Sequence, residues 1–108
     1  MIVGTVIDGN GKSVGLMADR LDTLEQALGY RPVGGTLNIL AAAEALRQAG
    51  KWPGVQVPDD RFFHAVNVGG YPCHAKIHKR HHFEVVADVR LRDHLGLSTG
   101  DPVAVTPR

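Results

Sequence analysis

Cysteine occurs once in these 108 residues, so no intramolecular disulfide can form. A lone Cys73 suits a reducing compartment, and a cytoplasmic location is the expectation. Charge of one sign is also lacking: 12 Lys and Arg stand against 11 Asp and Glu, a net charge of +1. So small an excess gives no bulk electrostatic basis for gripping nucleic acid or an anionic membrane. No apolar run approaches the roughly 20 residues that span a bilayer. The opening MIVGTVIDGNG has neither a basic flank nor a long apolar stretch, so no secretory signal is expected. Internal repeats, linkers and low-complexity segments are missing too, which points to one domain over residues 1–108.

Turn-forming residues, by contrast, are plentiful. Thirteen glycines and six prolines imply many turns and short strands, not a helical bundle. The 44% hydrophobic and 21% charged composition is that of an ordinary soluble domain with a modest core. Ile2 to Ile7 is rich in β-branched residues and stops at the turn cluster Asp8-Gly9-Asn10-Gly11, after which Ser13 to Met17 reads as a second strand. Over Ala18 to Leu28, the spacing of Leu21, Leu24 and Leu28 predicts a helix, with Gly29 as its C-cap. A loop through Gly34-Gly35 leads to a strand over residues 37–40. A short helix follows over Ala41 to Ala49, ended by Gly50.

Lys51 to Asp60, with Pro53, Gly54 and Pro58, reads as a surface excursion. Phe62 to Val68 and Cys73 to His78 read as strands joined through Gly69-Gly70-Tyr71-Pro72. Phe83 to Val89 is a further strand, Val89 to Leu97 holds a helical turn or two, and Val103 to Val105 is the last strand. The sum is a mainly β, small β-barrel with two or three short helices.

Several constellations carry chemistry. In a strand over 37–40, Thr36 and Asn38 point to one side. A hydroxyl and a carboxamide oxygen there, beside a glycine, either hold a hard cation such as Mg²⁺ or finish a turn entering the strand. The loop Asp8-Gly9-Asn10-Gly11-Lys12 can aim backbone N–H groups and one ammonium at phosphates, or serve as a plain hairpin turn. It lacks the GxxxxGK[ST] spacing of a P-loop. His74, His78, His81 and His82 crowd around Lys76, Lys79 and Arg80. The interleaved cations argue against zinc and for a loop that meets an anion. Glu84 opens an apolar strand and is either a rim carboxylate that accepts hydrogen bonds from a ligand or a solvated strand end. Cys73 and His74, as strand neighbours, face opposite ways, which argues against a nucleophile–base pair.

In this order, the Gly-x-Gly loop, "LGYRPVGGTLNI" and "HFEVVADVRLRDHLGLSTGDPVAV" resemble the CTP-dependent riboflavin kinases best known from archaea. The resemblance covers nearly the whole chain, and the GTLN element after LG-x-x-P is its most specific part. It implies a cradle-loop β-barrel that transfers the γ-phosphoryl of CTP to the 5′-hydroxyl of riboflavin, giving FMN and CDP. It also implies that Thr36 and Asn38 ligate Mg²⁺. CTP would lie near Asp8, Gly9, Asn10, Gly11 and Lys12 and near Val89, Arg90, Leu91 and Arg92. Glu84 matches a glutamate that contacts the flavin.

The family also uses a threonine about eight residues before that glutamate. Here that flavin-binding position falls at Lys76, within Ala75-Lys76-Ile77, so the threonine's contact is missing or altered, and the usual Pro-Glu before the apolar strand is replaced by His82-Phe83. These departures open the alternative of another small alcohol as acceptor. The implied partners are riboflavin or FMN and CTP or CDP, with neither nucleic acid nor membrane, for a monomer or weak homodimer. The ending "LRDHLGLSTGDPVAV" also resembles the swapped-hairpin barrels of AbrB-type DNA-binding proteins, the second alternative. Those chains lack GTLN and grip DNA with a basic face, which the near-neutral net charge of this chain does not favour.

Overall fold

The structure, a computed structural model, describes residues 1–8, 19–33, 36–79 and 81–108. The strand expected over Ser13 to Met17 lies outside these residues, as do Gly34, Gly35, Arg80 and the loop residues Gly9 to Lys12. Seven strands are described: β1 Ile2–Ile7, β2 Leu37–Leu40, β3 Gly54–Gln56, β4 Phe62–Val68, β5 Tyr71–His78, β6 His82–Val86 and β7 Pro102–Pro107. Three short helices join them among the described residues: α1 Leu21–Leu28, α2 Ala43–Ala49 and α3 Leu91–His94. No helix among the described residues is long and apolar enough to cross a membrane.

Six strands close on themselves in the order β4-β5-β6-β2-β1-β7, every pair antiparallel, and β7 returns to β4. The second edge of β4 is shared end to end. Its first residues pair with β3, Phe63 opposite Val55, and its last with β7, Val68 opposite Val105. Closure leaves the six barrel strands no long unpaired edge. Strand alternation fills the barrel with Val6, Ile39, Val66, Val68, Cys73, Ala75, Phe83, Val85 and Val105, all at most 1% exposed. Leu46 and Ala49 of α2 and Leu91 of α3 join this core, and Trp52 stacks near Phe83.

A second, smaller cluster sits on the barrel's outer face. There Leu24 and Leu28 of α1 cover Val57, Phe63 and Val86. An eight-residue helix is marginal by itself, so α1 depends on that packing, with about 1.5–3 kcal/mol for each buried leucine. Gly29 ends it in the left-handed region at φ 86°, its N–H bonded to the Glu25 carbonyl.

The barrel and helices expected from the pattern are therefore present, with four local differences. Lys51 to Asp60 is more than a surface excursion, because it contains β3 and fully buried Val57. The β4–β5 turn is only Gly69-Gly70, at φ 55° and 85°, the two positive φ values that a tight hairpin needs. β6 starts one residue earlier than expected and ends at Val86, which makes Glu84 its midpoint. β7 is longer than expected, with a proline at each end, where a strand tolerates one.

Candidate functional site

The register of four strands sets a polar row on the barrel's outer face. Asn38 alternates with the core residues Leu37 and Ile39, so its side chain belongs to the outer face, where it is 7% exposed. Ile7 is its partner on β1 and Glu84 its partner on β6. Glu84 in turn lies opposite Lys76 on β5. The Lys76 ammonium sits 5.5 Å from the Phe63 ring centroid. Thr36, half-buried, precedes β2 at the same parity as Asn38.

Glu84 gathers nitrogen donors. One carboxylate oxygen is 3.3 Å from His78 Nδ1 and 3.6 Å from His82 Nε2; the other is 3.7 Å from Lys76 Nζ. Burial pulls the His82 imidazole below its usual value, against the pull of Glu84. Lys76 also reaches Asp60 Oδ1 at 3.4 Å, and Asp60 Oδ2 accepts from Arg20 at 2.7 Å. All four of these charged side chains are one-third exposed or less.

A second group closes the Ile7 end of the row. Arg92 on α3 donates to the Ile7 carbonyl at 3.4 Å and to Thr99 Oγ1 at 3.2 Å, and lies 3.7 Å from Asp8 Oδ1. The Thr99 hydroxyl donates to Asp8 Oδ1 at 2.5 Å. Asp8, though exposed, thus has Thr99 and Arg92 as partners, and Gly9 to Lys12 follow it directly in the chain.

The segment that leads to Thr36 is fastened on both sides. Val33 N–H donates to the Ala87 carbonyl at 2.9 Å. The Tyr30 hydroxyl donates to the Val86 carbonyl at 3.2 Å and lies 2.9 Å from His74 Nδ1. Burial is the main cause that raises the Tyr30 hydroxyl above its usual pKa. Burial, helped by Arg108, pulls His74 down from 6.5 to about 4, so it is neutral and suited to a hydrogen bond with a hydroxyl. Cys73, facing the core, is pushed up to about 12 by burial, which removes it as a nucleophile.

The fold thus gathers Asp8, Arg92, Asn38, Glu84 and Lys76 into one band, with Thr36 at its edge. The other expected nucleotide residues are placed differently. The Leu91 side chain is in the barrel core, Val89 packs partly against it, and Arg90 pairs with Asp93 on the surface. The carbonyls of Arg90, Leu91 and Arg92 accept from His94, Leu95 and Leu97. Three of the four clustered histidines lie on strands: His74 turns to Tyr30, and His78 and His82 turn to Glu84, while His81 sits in the turn between β5 and β6. Sequence reasoning missed Asp60, Arg20 and Thr99. Only the fold brings them in, since Arg20 and Asp60 are 40 residues apart.

Among the described residues, no group of three or more His, Cys, Asp or Glu could hold a metal ion. The donors at Thr36 and Asn38 are of another kind. A hydroxyl and a carboxamide oxygen beside one carboxylate suit a hard cation that keeps water and phosphate as its other ligands. The residues present fit Mg²⁺ on that chemical ground.

Comparison with known proteins places the chain in a family. The family described as CTP-dep_RFKase, domain of unknown function DUF120, matches residues 6–106. The riboflavin kinase of Aeropyrum pernix is 35% identical over 118 aligned residues, covering 93% of this chain and 89% of that protein. The riboflavin kinase of Methanobrevibacter smithii is 30% identical over 120, covering 96% and 97%. These matches show that the chain belongs to the CTP-dependent riboflavin kinase family.

Proposed function

We propose that this barrel transfers the γ-phosphoryl of CTP to the 5′-hydroxyl of riboflavin, yielding FMN and CDP, with Mg²⁺ held by Thr36 and Asn38. Phosphoryl transfer asks a protein mainly for alignment and charge neutralisation, so a dedicated catalytic base is not required. When bound, Mg²⁺ supplies the positive charge that offsets the phosphate oxygens. Asp8, 3.7 Å from Arg92, directly precedes in the chain the loop Gly9 to Lys12, whose backbone N–H groups and Lys12 ammonium are read from the sequence as the phosphate cradle. The backbone around Val89 to Arg92 borders the nucleoside side. Glu84 orients the acceptor, with Lys76 beside it.

One observation carries this reading: the register sets Asn38 directly between Ile7, which leads into the Asp8 loop, and Glu84. A cation at Asn38 would then have the donor's phosphates on one side and the acceptor's hydroxyl on the other. Asn38→Ala tests it. The variant should lose at least about 100-fold of Mg²⁺-dependent FMN formation, the scale seen when a group that acts only on transition-state charge is removed. Its thermal melt should stay cooperative and within several degrees of the parent, as for loss of roughly 1 kcal/mol. FMN formation at the parent's rate would contradict the metal assignment.

A further inference from the structure

Lys76 poses a problem for the site just proposed. An ammonium beside Glu84 competes with any substrate hydroxyl or N–H for the same carboxylate. The structure shows how that competition is restrained. Lys76 Nζ hydrogen-bonds to Asp60 Oδ1 at 3.4 Å, whereas its 3.7 Å approach to Glu84 Oε2 is an ion pair without a hydrogen bond. The Phe63 ring centroid lies 5.5 Å from the same ammonium.

Asp60 is itself braced. Its N–H bonds to the Val57 carbonyl, and its own carbonyl accepts from Gln56 Nε2 at 2.7 Å. Its Oδ1 also accepts from Arg61 N–H at 2.7 Å, and its Oδ2 from Arg20. Arg20 donates as well to the carbonyls of Pro58 and Asp59. Asp59 sits in the left-handed region at φ 58°, a conformation that this bracing maintains. The turn between β3 and β4 thus presents one carboxylate, 14% exposed, at a fixed place against Lys76.

We infer that Asp60 is a positioning residue of the acceptor site: it draws the Lys76 ammonium away from Glu84 and so keeps a Glu84 oxygen available to a hydroxyl or N–H group of the acceptor. This rests on the reading that Glu84 contacts riboflavin. Asp60→Asn removes the charge with little change of shape. Lys76 then closes on Glu84, and the acceptor loses a charge-assisted hydrogen bond.

The test uses the full chain with riboflavin, CTP and Mg²⁺. Riboflavin affinity is read from flavin fluorescence, and KM for riboflavin and for CTP from FMN formation. D60N should weaken riboflavin binding about tenfold, the scale of one charge-assisted hydrogen bond, and leave KM for CTP unchanged. Adding Lys76→Met to D60N removes the competing ammonium and should restore riboflavin affinity. A role of Asp60 in folding alone would give no such rescue. Should D60N not fold, Asp60→Ser takes its place with the same expectations.

Unchanged riboflavin affinity in the Asp60 variant, or a double variant as weak as the single one, overturns the inference. Glu84→Gln separates it from the reading beneath. If E84Q weakens riboflavin binding while the Asp60 variants behave otherwise than expected, only the inference fails. If E84Q binds riboflavin as the parent does, the acceptor reading itself fails.

Discussion

His74→Gln should flatten the acid side of the stability profile. The imidazole is 7% exposed, faces the Tyr30 hydroxyl at 2.9 Å, and has Arg108 Nη2 at 3.4 Å from both ring nitrogens. Burial first, and Arg108 second, pull its value from 6.5 down to about 4. The folded protein therefore binds this proton more weakly than the unfolded chain does. The stabilisation tied to neutral His74 is complete above about pH 6.5 and is lost as the pH falls toward 4. Each pH unit between those values corresponds to about 1.4 kcal/mol, an upper limit of about 3 kcal/mol. Solvent and relaxation screen part of this, leaving about 1–2 kcal/mol.

Glutamine can still hydrogen-bond Tyr30 but does not titrate. Urea unfolding of both proteins from pH 8 to pH 4 checks the argument. The stability of the parent relative to H74Q should fall by about 1–2 kcal/mol across that range, with most of the change between pH 6.5 and 4. Parallel profiles, with one constant difference at every pH, would refute it.

Two structural predictions are independent of function. At Gly54 an added Cβ would meet the Phe63 carbonyl oxygen at 2.0 Å and His64 Cα at 2.7 Å, both backbone. Gly54→Ala should therefore force β3 from β4 and lower stability by about 2 kcal/mol or more, read from denaturant midpoints; an unchanged midpoint would show that the β3–β4 contact is not needed. Cys73 is fully buried with its thiol pushed up to about 12, so a colourimetric disulfide reagent at pH 8 should react only after denaturant is added. Prompt reaction in the native protein would place that side chain elsewhere.

The parts of the fold that were legible in the sequence are those with strong local patterning. The β-branched run over Ile2–Ile7 and the leucine spacing closed by Gly29 gave β1 and α1 directly. β3 was hidden because Pro53, Gly54 and Pro58 are turn residues. That strand exists through its pairing with β4, which no local signal encodes. Prolines 102 and 107 similarly masked the true length of β7.

The site divides along the same line. Thr36, Asn38 and Glu84 stood out by type and spacing, and the barrel places Asn38 and Glu84 opposite each other. The link from Arg20 through Asp60 and Lys76 to Glu84 spans distant segments, so only barrel closure and the packing of α1 reveal it. The sequence set the histidines close together, but only the folded strands assign their partners: one imidazole faces Tyr30 and two face Glu84, while His81 lies in the turn between β5 and β6.

The central claim is that this chain makes FMN from riboflavin and takes its phosphate from CTP. Incubating the purified protein with riboflavin and Mg²⁺, in turn with CTP, ATP, GTP and UTP, and separating the flavins by chromatography tests it most directly. Our account predicts FMN and CDP with CTP, little or no FMN with the other three nucleotides, and none with CTP once chelator has removed Mg²⁺. Equal FMN formation with ATP, or no FMN with any nucleotide, would contradict it.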